Sequence, residues 1–379
     1  MPSLPPARAG APLYEVDTPA LIVDLDAMER NITAMAAFTT RAGMRLRPHA
    51  KTHKSPLVAA RQIAAGAVGQ CCQKVSEAQV LVEGGVRDVL VTNQVWGSVK
   101  LDRLAALARQ AKIGVCVDAA ENVDALAAAA RRFGSVIEVL VEIDVGGKRC
   151  GVRPGAAAVA LAQRIASSEW LTFGGLQAYF GTAQHFRSPE ERRRAIADAG
   201  EGVRTTLAGL TAVGLVARTI GGAGTGTFQH EAASGLWNEL QPGSYVFMDA
   251  DYARNEPDPG NLLPRFEHAL FVLASVMSAV AGNRAIVDAG HKALGNDSGM
   301  PTIWQRGDLT YQQPSDEHGT LVVAPDGRRP DPGEKLLLVP GHCDPTVNLY
   351  DWYVGVRGLG EGRGQVECIW PVAARGAVL

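Results

Sequence analysis

The chain has 379 residues, of which 46% are hydrophobic and 20% charged, and its 37 basic and 39 acidic residues leave a formal net charge of -2. This composition excludes wholesale disorder, and the balanced charge gives no sign of a nucleic-acid or membrane-surface partner. No apolar run reaches the roughly 18 residues of a membrane helix, and six cysteines without zinc-ribbon spacing favour reduced thiols in a cytoplasmic protein.

The N-terminal segment reads as a loose arm followed by a strand and a helix. The arm, MPSLPPARAGAPLYEV, has no apolar stretch of signal-peptide type. It precedes TPALIVDLDAMERNITAMAAFTTRAG, an apolar strand running into an amphipathic helix that Asp24 or Asp26 is suited to cap. We predict that residues 1–26 form an arm and a strand that joins the C-terminal β domain.

From residue 44 onward, short apolar runs alternate with amphipathic ones. The intervening segments place apolar residues at i, i+3, i+4 and i+7, which indicates helices. Near-continuously apolar strands suit burial on both faces of a parallel sheet. Eight strand–helix units in about 200 residues therefore predict a (β/α)8 barrel of the TIM type over residues 27–264, with a doubly wound open sheet as the alternative. The predicted strands are 44–49, 68–73, 88–93, 112–118, 136–144, 172–179, 217–224 and 239–247.

The pattern changes at about residue 265. Strand-like segments such as ALFVLASVMSAV, GTLVVAP, EKLLLVPGH and WYVGVR are separated by turns such as PDG and DPGE. Short strands with turn residues between them are typical of an all-β fold. We predict a C-terminal β domain over residues 265–379.

Three lysines follow predicted barrel strands, where active-site residues of such barrels lie. Lys51 stands in RPHAKTHK, after the first strand. A lysine buried at a barrel mouth is a candidate nucleophile, because burial lowers its pKa. Lys54 and Lys74 satisfy the same criterion, and an ordinary solvated lysine is the alternative for each.

A glycine-rich segment, GGAGTG at 221–226, follows the seventh predicted strand. Glycines let backbone N–H groups approach a phosphate closely, and Thr225 adds a hydroxyl. Gly243 and Ser244 follow the eighth strand, and barrels often bind phosphate after these two strands. The alternative is a plain glycine-rich turn. A lysine combined with a phosphate cup is what pyridoxal phosphate requires.

Two histidine-containing segments carry further candidate chemistry. His342 and Asp344 lie in PGHCDPTVNLYD, where i and i+2 positions of an extended segment point to one side. Imidazole with carboxylate suits zinc or manganese, and a surface ion pair is the alternative. His185, in GTAQHF after the sixth strand, is either a base near the mouth or an ordinary loop histidine.

These motifs together resemble the fold-type III pyridoxal-phosphate enzymes over nearly the whole chain. The resemblance is to the branch that holds D-threonine aldolase, 3-hydroxy-D-aspartate aldolase and eukaryotic-type D-serine dehydratase. That family has an N-terminal barrel of the alanine racemase type and a C-terminal β domain. The matching stretches are TPALIVDLDAMERNI, RPHAKTHKS, CCQKVSEA, VLVEIDVGGKRCGV, LQAYFGTAQH, GGAGTG, ELQPGSYVFMDADY, VDAGHKA, SDEHG and PGHCDPTVNLYD.

The resemblance implies a role for individual residues. Lys51 is similar to the Schiff-base lysine, Arg149 and Tyr179 to residues lining the cofactor and substrate pocket, and His342 and Asp344 to the divalent-metal pair. The implied phosphate cup comprises Gly222, Gly224, Thr225 and Gly226, with Gly243, Ser244 and Tyr245 beside it.

Two positions depart from the patterns of related enzymes. Gln241 stands at a position similar to the one where alanine racemases have an arginine that contacts the pyridine nitrogen. A neutral amide cannot supply the positive charge of that arginine. Ala223 stands where relatives often have glycine. Its methyl group is expected to be tolerated only if its φ is below zero.

The resemblance implies retro-aldol cleavage of D-3-hydroxy amino acids, D-threonine or 3-hydroxy-D-aspartate, to glycine and an aldehyde. Lys51, His185, Tyr179 and His342 are the expected catalytic residues, with pyridoxal 5'-phosphate and a divalent metal as cofactors. The expected base for the 3-hydroxyl is a metal-bound water or His185, and Lys51 or a water returns the proton that completes glycine. The metal pair of this chain has the pattern H-x-D, which is similar to that of the aldolases, whereas the related dehydratases have H-x-C. The carboxylate favours manganese, with magnesium or zinc as alternatives.

Other functions remain open from the sequence alone. A D-serine or 3-hydroxyaspartate dehydratase would use the same site, and a racemase, a catalytically inert cofactor carrier and a metal-only lyase are further alternatives. We expect a homodimer with residues from both chains near each pocket. The metal pair must then reach a barrel mouth, either by folding of the β domain over its own barrel or from the partner subunit.

Overall fold

Two β-sheets organise the computed structural model, which describes residues 4–258, 265–279 and 282–379. The chain begins with strand β1 (Ala20–Asp24), buried along its whole length, and helix α1 (Leu25–Arg41). Asp24 is the N-cap of α1, because its Oδ1 accepts the backbone N–H groups of Asp26 and Ala27 at 3.0 and 3.1 Å. Asp26 is therefore not the cap but a residue of the first turn, where its negative charge interacts favourably with the helix dipole.

Eight parallel strands within the described residues form the barrel. They are β2 (Arg45–Leu46), β3 (Gln70–Cys72), β4 (Asp88–Gln94), β5 (Lys112–Val117), β6 (Ile137–Glu142), β7 (Leu171–Gln177), β8 (Thr219–Gly222) and β9 (Glu239–Leu240). The order is β2-β9-β8-β7-β6-β5-β4-β3, and a parallel bridge between His49 and Cys71 closes the ring. The predicted (β/α)8 fold is confirmed, and the open sheet is excluded because an open sheet would leave β2 and β3 unjoined.

The last predicted strand, 239–247, is wrong beyond Leu240. Pro242 has no N–H to donate to a neighbouring strand. The chain instead turns into a short 3-10 segment at Ser244–Val246. This early turn matters because it brings the backbone of Gly243 and Ser244 to the barrel mouth.

Helices cover the outside of the barrel. They are α2 (Pro56–Ala64), α3 (Val75–Glu83), α4 (Ser98–Leu107), α5 (Ala120–Phe133), α6 (Ala156–Ala166), α7 (Pro189–Ala212) and α8 (Phe228–Ala233). In α5 the buried residues Val123, Leu126 and Ala130 share one face, as the sequence spacing predicts, and Gly134 ends the helix in the left-handed conformation. No helix in the described part of the chain is long and apolar enough to cross a membrane.

The C-terminal sheet contains nine strands of the described residues, including β1. After the short helix α9 (Ala250–Ala253) come β10 (Leu270–Ser278), β11 (Arg284–Val287), β12 (Thr302–Ile303), β13 (Leu309–Pro314), β14 (Gly319–Val323), β15 (Lys335–Val339), helix α10 (Cys343–Val347), β16 (Trp352–Arg357) and β17 (Gln365–Pro371). β1 lies between β10 and β16, antiparallel to the first and parallel to the second. The sequence reading missed β12 and β13.

The β domain packs against the mouth end of the barrel. Tyr353 donates its hydroxyl to the carbonyl of His53 at 2.7 Å, and the N–H of Ala250 donates to the carbonyl of Pro340 at 3.0 Å. These contacts place the segment between β15 and α10 directly over the end of β2. The predicted domain boundary, between residues 264 and 265, adjoins residues 259–264, which lie outside the described residues.

Candidate active site

Lys51 lies in the loop after β2, at the barrel mouth. Its backbone N–H donates to Nδ1 of His49 at 3.3 Å, and its ammonium forms an ion pair with Asp344 of the β domain. Burial opposes the charge of the ammonium, but the carboxylate of Asp344 outweighs it and raises the pKa of Lys51. The expectation that burial lowers this pKa is therefore wrong for the structure as it stands, because a buried carboxylate faces the amine.

The two rival lysines are placed differently. Lys54 is buried, and its ammonium bonds Glu77 at 2.7 Å and the carbonyl of Ala374 at 3.2 Å. Lys74 precedes α3, where its backbone N–H donates to Glu77 at 3.1 Å. Neither lines the cavity at the barrel mouth, whereas Lys51 does.

The cavity at the barrel mouth collects most of the predicted cofactor residues. It is lined by His49, Lys51, Gln73, Thr92, Arg149, Gln177, Tyr179, Ala223, Gly224, Thr225, Gln241, Gly243, Ser244 and Tyr252. His49, Thr92 and Tyr252 were missed as site residues. The first two stand at strand ends, a signal that the mouth rule provides, whereas Tyr252 lies on α9, outside the barrel strands.

Backbone donors surround one end of this cavity. The N–H groups of Gly224, Thr225 and Ser244 donate to no acceptor in the described part of the chain, and the buried hydroxyl of Thr225 also has no partner there. A Cβ at Gly224 would lie 2.5 Å from Oε1 of Gln184, and one at Gly243 would lie 2.6 Å from Oγ1 of Thr52. Unpaired donors at a site that excludes side chains fit a phosphate group.

Three other predicted cup residues contribute less directly. The N–H of Gly226 is already used, because it donates to Oε1 of Gln184 at 3.0 Å. Gly222 ends β8 and packs against the carbonyl of Ala178. The side chain of Tyr245 does not face the cavity: it is fully buried in the core, and its hydroxyl accepts from Gln62 at 3.1 Å.

Ala223 contradicts the expectation that its φ is below zero. Its φ is +71°, in the left-handed region, although its methyl group is buried. A non-glycine residue there costs roughly 1–2 kcal/mol. The surrounding packing and the turn between β8 and α8 must hold it in place.

The other end of the cavity is closed by neutral amides. Gln177 donates to Oε1 of Gln241 at 2.8 Å, and Gln241 donates to Glu239 at 3.2 Å. Glu239 in turn pairs with the buried Arg47, with Nε and Oε1 3.0 Å apart. Gln241 is thus connected to Arg47 only through a carboxylate that already pairs with it, which agrees with the inference that Gln241 brings no charge to the cofactor.

Arg149 and Tyr179 form one wall. The guanidinium of Arg149 lies 5.6 Å from the ring centre of Tyr179, in cation–π geometry, and 4.0 Å from Glu142. Burial raises the pKa of Tyr179, although Lys51 and Arg149 oppose the increase. Its hydroxyl therefore enters the cavity as a neutral group.

His342 and Asp344 face the same cleft from the β domain. His342 is the N-cap of α10 and Asp344 lies in its first turn, so the pair converges without the extended segment that the spacing suggested. Nε2 of His342 lies 3.9 Å from Oδ2 of Asp344. Cys343 points away into the core, where it donates to the carbonyl of Met248.

The donor set fits a divalent cation with two protein ligands. Oδ1 of Asp344 is buried without a hydrogen-bond partner in the described residues. Nδ1 of His342 lies 2.8 Å from Oδ2 of Asp297, which is the arrangement that orients a metal-binding imidazole. Within the described ranges no group of three or more His, Cys, Asp or Glu residues is placed to hold a metal.

His185 stands at the rim. Its Nδ1 lies 2.5 Å from Oδ2 of Asp251, and its ring centre lies 5.4 Å from that of Tyr252, which lines the cavity. His185 does not itself line the cavity at the barrel mouth. One chain thus brings Lys51, the candidate phosphate cup and the candidate metal pair to one mouth, with His185 at its rim, because the β domain folds over its own barrel.

Comparison with known proteins gives two family matches in tandem. The model described as the alanine racemase N-terminal domain matches residues 23–251, and that described as a putative serine dehydratase domain matches residues 269–356. Both matches agree with the barrel and the β domain.

Three relatives are similar over nearly the whole chain. A D-threonine aldolase from Arthrobacter sp is 48% identical over 98% of this chain and 96% of its own length. A 3-hydroxy-D-aspartate aldolase from Paracoccus denitrificans is 48% identical over 98% and 95%. The crystal structure of D-threonine aldolase from Filomicrobium marinum superposes with a TM-score of 0.96 at 54% identity, covering 99% of this chain and all of that one.

Proposed function

The chain belongs to the fold-type III pyridoxal-phosphate family that includes D-threonine aldolase and 3-hydroxy-D-aspartate aldolase, and we propose that it cleaves D-3-hydroxy amino acids to glycine and an aldehyde. The observation that carries the proposal is the meeting of Lys51 with Asp344 at the mouth that also holds the phosphate cup. Because the candidate cofactor lysine and a candidate metal ligand are in contact, one bound substrate can reach both the cofactor and the metal.

The residues present fit both cofactors. Lys51 would hold pyridoxal phosphate at its aldehyde, and Gly224, Thr225 and Ser244 would hold its phosphate. Bound there, this cofactor accepts the electron pair left when the Cα–Cβ bond of the substrate breaks. His342 and Asp344 would hold the cation, which as a Lewis acid favours loss of the proton from the 3-hydroxyl.

The side chains of this chain then carry the proton transfers. Nε2 of His185 accepts the proton of the 3-hydroxyl, so that the oxygen forms the aldehyde carbonyl as the Cα–Cβ bond breaks. Nζ of Lys51 returns a proton to Cα and completes glycine. Arg149 and Tyr179 form the wall that orients the amino acid.

The metal and the assembly are further parts of the proposal. A carboxylate with one imidazole favours manganese, with magnesium or zinc as the alternatives. We expect a homodimer, although Lys51 and Asp344 of one chain already meet without a partner. Sedimentation of a fully active monomer would contradict the dimer.

Product analysis tests the activity. The protein with pyridoxal phosphate and Mn2+ is incubated with D-threonine and, separately, with D-3-hydroxyaspartate. We expect glycine with acetaldehyde or glyoxylate, lost on chelation. A 2-oxo acid with ammonia would instead establish a dehydratase and overturn the proposal.

Matched variants connect the activity to the residues. His342→Ala should lose metal-dependent turnover, whereas His318→Ala, an exposed histidine of the same domain, should keep it. Equal loss in both variants would remove His342 from the site.

A further inference from the structure

A buried carboxylate stands behind His185. Asp251 is almost fully buried, and it receives Arg187 and Arg254 at 2.5 Å each as well as His185. Burial alone would raise its pKa, but the bonds from Arg187, Arg254 and His185 lower it to about 2. Asp251 is thus a fixed anion at neutral pH.

An ionised carboxylate can only accept hydrogen bonds. The proton in the 2.5 Å contact therefore belongs to Nδ1 of His185. In the neutral imidazole Nε2 is then an acceptor, and it forms no hydrogen bond within the described residues. The ring packs on Tyr252, which lines the cavity.

Arg254 joins this pair to the β domain. One nitrogen, Nη2, donates to Oδ1 of Asp251 at 2.5 Å and to the carbonyl of Ser298 at 2.6 Å. Ser298 follows Asp297, which holds Nδ1 of His342 at 2.8 Å. Two carboxylate–histidine pairs, one from each domain, are therefore tied together through a single guanidinium.

We propose that Asp251 is a positioning residue that holds His185 with Nε2 free to accept the substrate proton. We further propose that Arg254 sets the distance between His185 and His342. This inference rests on the proposed function, in which His185 is the base. Asp251 touches neither substrate nor cofactor and acts through the imidazole, as orienting carboxylates do in catalytic triads.

The first test is made on the wild-type holoenzyme. Long-range proton–nitrogen correlation spectra of the holoenzyme report the tautomer of each of the eight histidines, and His185→Asn identifies the signal of His185. We expect the Nδ1–H form. The Nε2–H form in the wild-type holoenzyme would overturn the proposal.

Asp251→Asn tests the consequence for turnover. We expect kcat to fall about 10²–10³-fold, while the KM for the amino acid and the affinity for pyridoxal phosphate change by less than about threefold. The tautomer signal of His185 should change in the same variant. A normal kcat in a folded Asp251→Asn protein would also overturn the proposal.

The link through Arg254 has a matched control. Arg204 forms an i, i+3 pair with Glu201 at 2.5 Å on the exposed face of α7, as Arg254 does with Asp251. Arg254→Gln should lower kcat about tenfold and weaken Mn2+ binding by a similar factor, whereas Arg204→Gln should leave both unchanged. Unaltered kcat and Mn2+ affinity in Arg254→Gln would remove the link.

Failure of the proposed function gives a different result. If His185→Asn retains turnover, His185 is not the base and the mechanism is wrong. If His185→Asn is inactive while Asp251→Asn is fully active, the mechanism stands and only the role of Asp251 is wrong.

Discussion

The candidate phosphate cup and the candidate metal pair meet at one mouth but are built in different ways. The cup consists of backbone N–H donors beside Gly224 and Gly243, two glycines where a side chain would not fit, and the contact between Gly226 and Gln184 supports it from behind. The metal pair consists of two side chains, one of them on a histidine held by the exposed carboxylate of Asp297. The barrel therefore provides a rigid anchor, whereas the β domain provides ligands whose placement depends on neighbouring loops.

This difference indicates which substitutions should damage the phosphate cup and which should damage the metal pair. A backbone cup is damaged by added atoms and little affected by loss of a remote charge. A side-chain pair is damaged by loss of an orienting partner. Lys51 is the group that contacts the cavity of the first half and a ligand of the second.

The largest effect is expected where the halves meet. Lys51→Ala should abolish turnover and the visible absorbance of bound pyridoxal phosphate, because the covalent attachment is lost. Lys292→Ala is the control, since Lys292 pairs on the surface with Glu317. Spectra and steady-state rates measure both. Normal turnover in Lys51→Ala would break the assignment.

The cup should fail when an atom is added. A Cβ at Gly224 would displace Oε1 of Gln184, which holds the N–H of Gly226. Gly224→Ala should weaken pyridoxal-phosphate binding at least about tenfold, or 1.4 kcal/mol, with Mn2+ affinity preserved. Gly307→Ala, where a Cβ meets open space, is the control. Equal affinities, measured by equilibrium dialysis, would show that the cup is not at Gly224.

A buried acid beneath the cup predicts a pH effect on stability. Burial raises the pKa of Glu231 from 4.5 to about 7; Thr227 bonds its Oε1 at 2.8 Å, while Oε2 has no partner in the described chain. The folded state then binds the extra proton between these pH values, so stability falls as pH rises through that interval and the cost is complete above pH 7.

Glu231→Gln removes that cost. Its stability relative to the wild type should rise by about 1–3 kcal/mol between pH 5 and pH 8. Urea unfolding at both pH values measures the change, with Glu201→Gln on the exposed face of α7 as the control. A difference that is independent of pH would place the proton elsewhere.

The smallest effects are expected at Ala223. Ala223→Gly removes the strain of a positive φ, which stabilises the folded state. It also removes a buried methyl group and increases the conformational entropy of the unfolded chain, and both effects are destabilising. The free energy of unfolding should therefore change by less than about 1 kcal/mol. Ala223→Val should cost about 2 kcal/mol or more, because a β-branched residue is strained there. Urea midpoints distinguish the two, and an equally stable valine variant would contradict the φ of +71°.

The sequence predicted the barrel because local patterns carry it. Each of the eight apolar runs, and the glycine-rich loop, is a continuous stretch of sequence. In a (β/α)8 barrel the carboxyl ends of all the strands lie at the same mouth. The same rule named Lys51 only together with Lys54 and Lys74, and the family resemblance selected Lys51 among the three. The length of the eighth strand was not predictable from apolar content, because Pro242 and the following turn decide it.

The partners of the site residues could not be read in the same way. Asp251 and Asp297 lie 66 and 45 positions from the histidines that they hold, and nothing in their local sequence marks them. The φ of Ala223 is likewise set by packing around the turn. Propensity alone, which favours φ below zero for alanine, gave the wrong sign.

Strand β1 has a consequence for the order in which this chain is made. It is synthesised early, yet its hydrogen-bonding partners on β10 and β16 begin at residues 270 and 352. On the ribosome this apolar strand must therefore wait for β10 before one edge can pair, and longer still for β16 before the other edge can pair; long-range pairings of this kind form slowly. During that time the nascent protein carries an unpaired apolar edge that a chaperone would recognise.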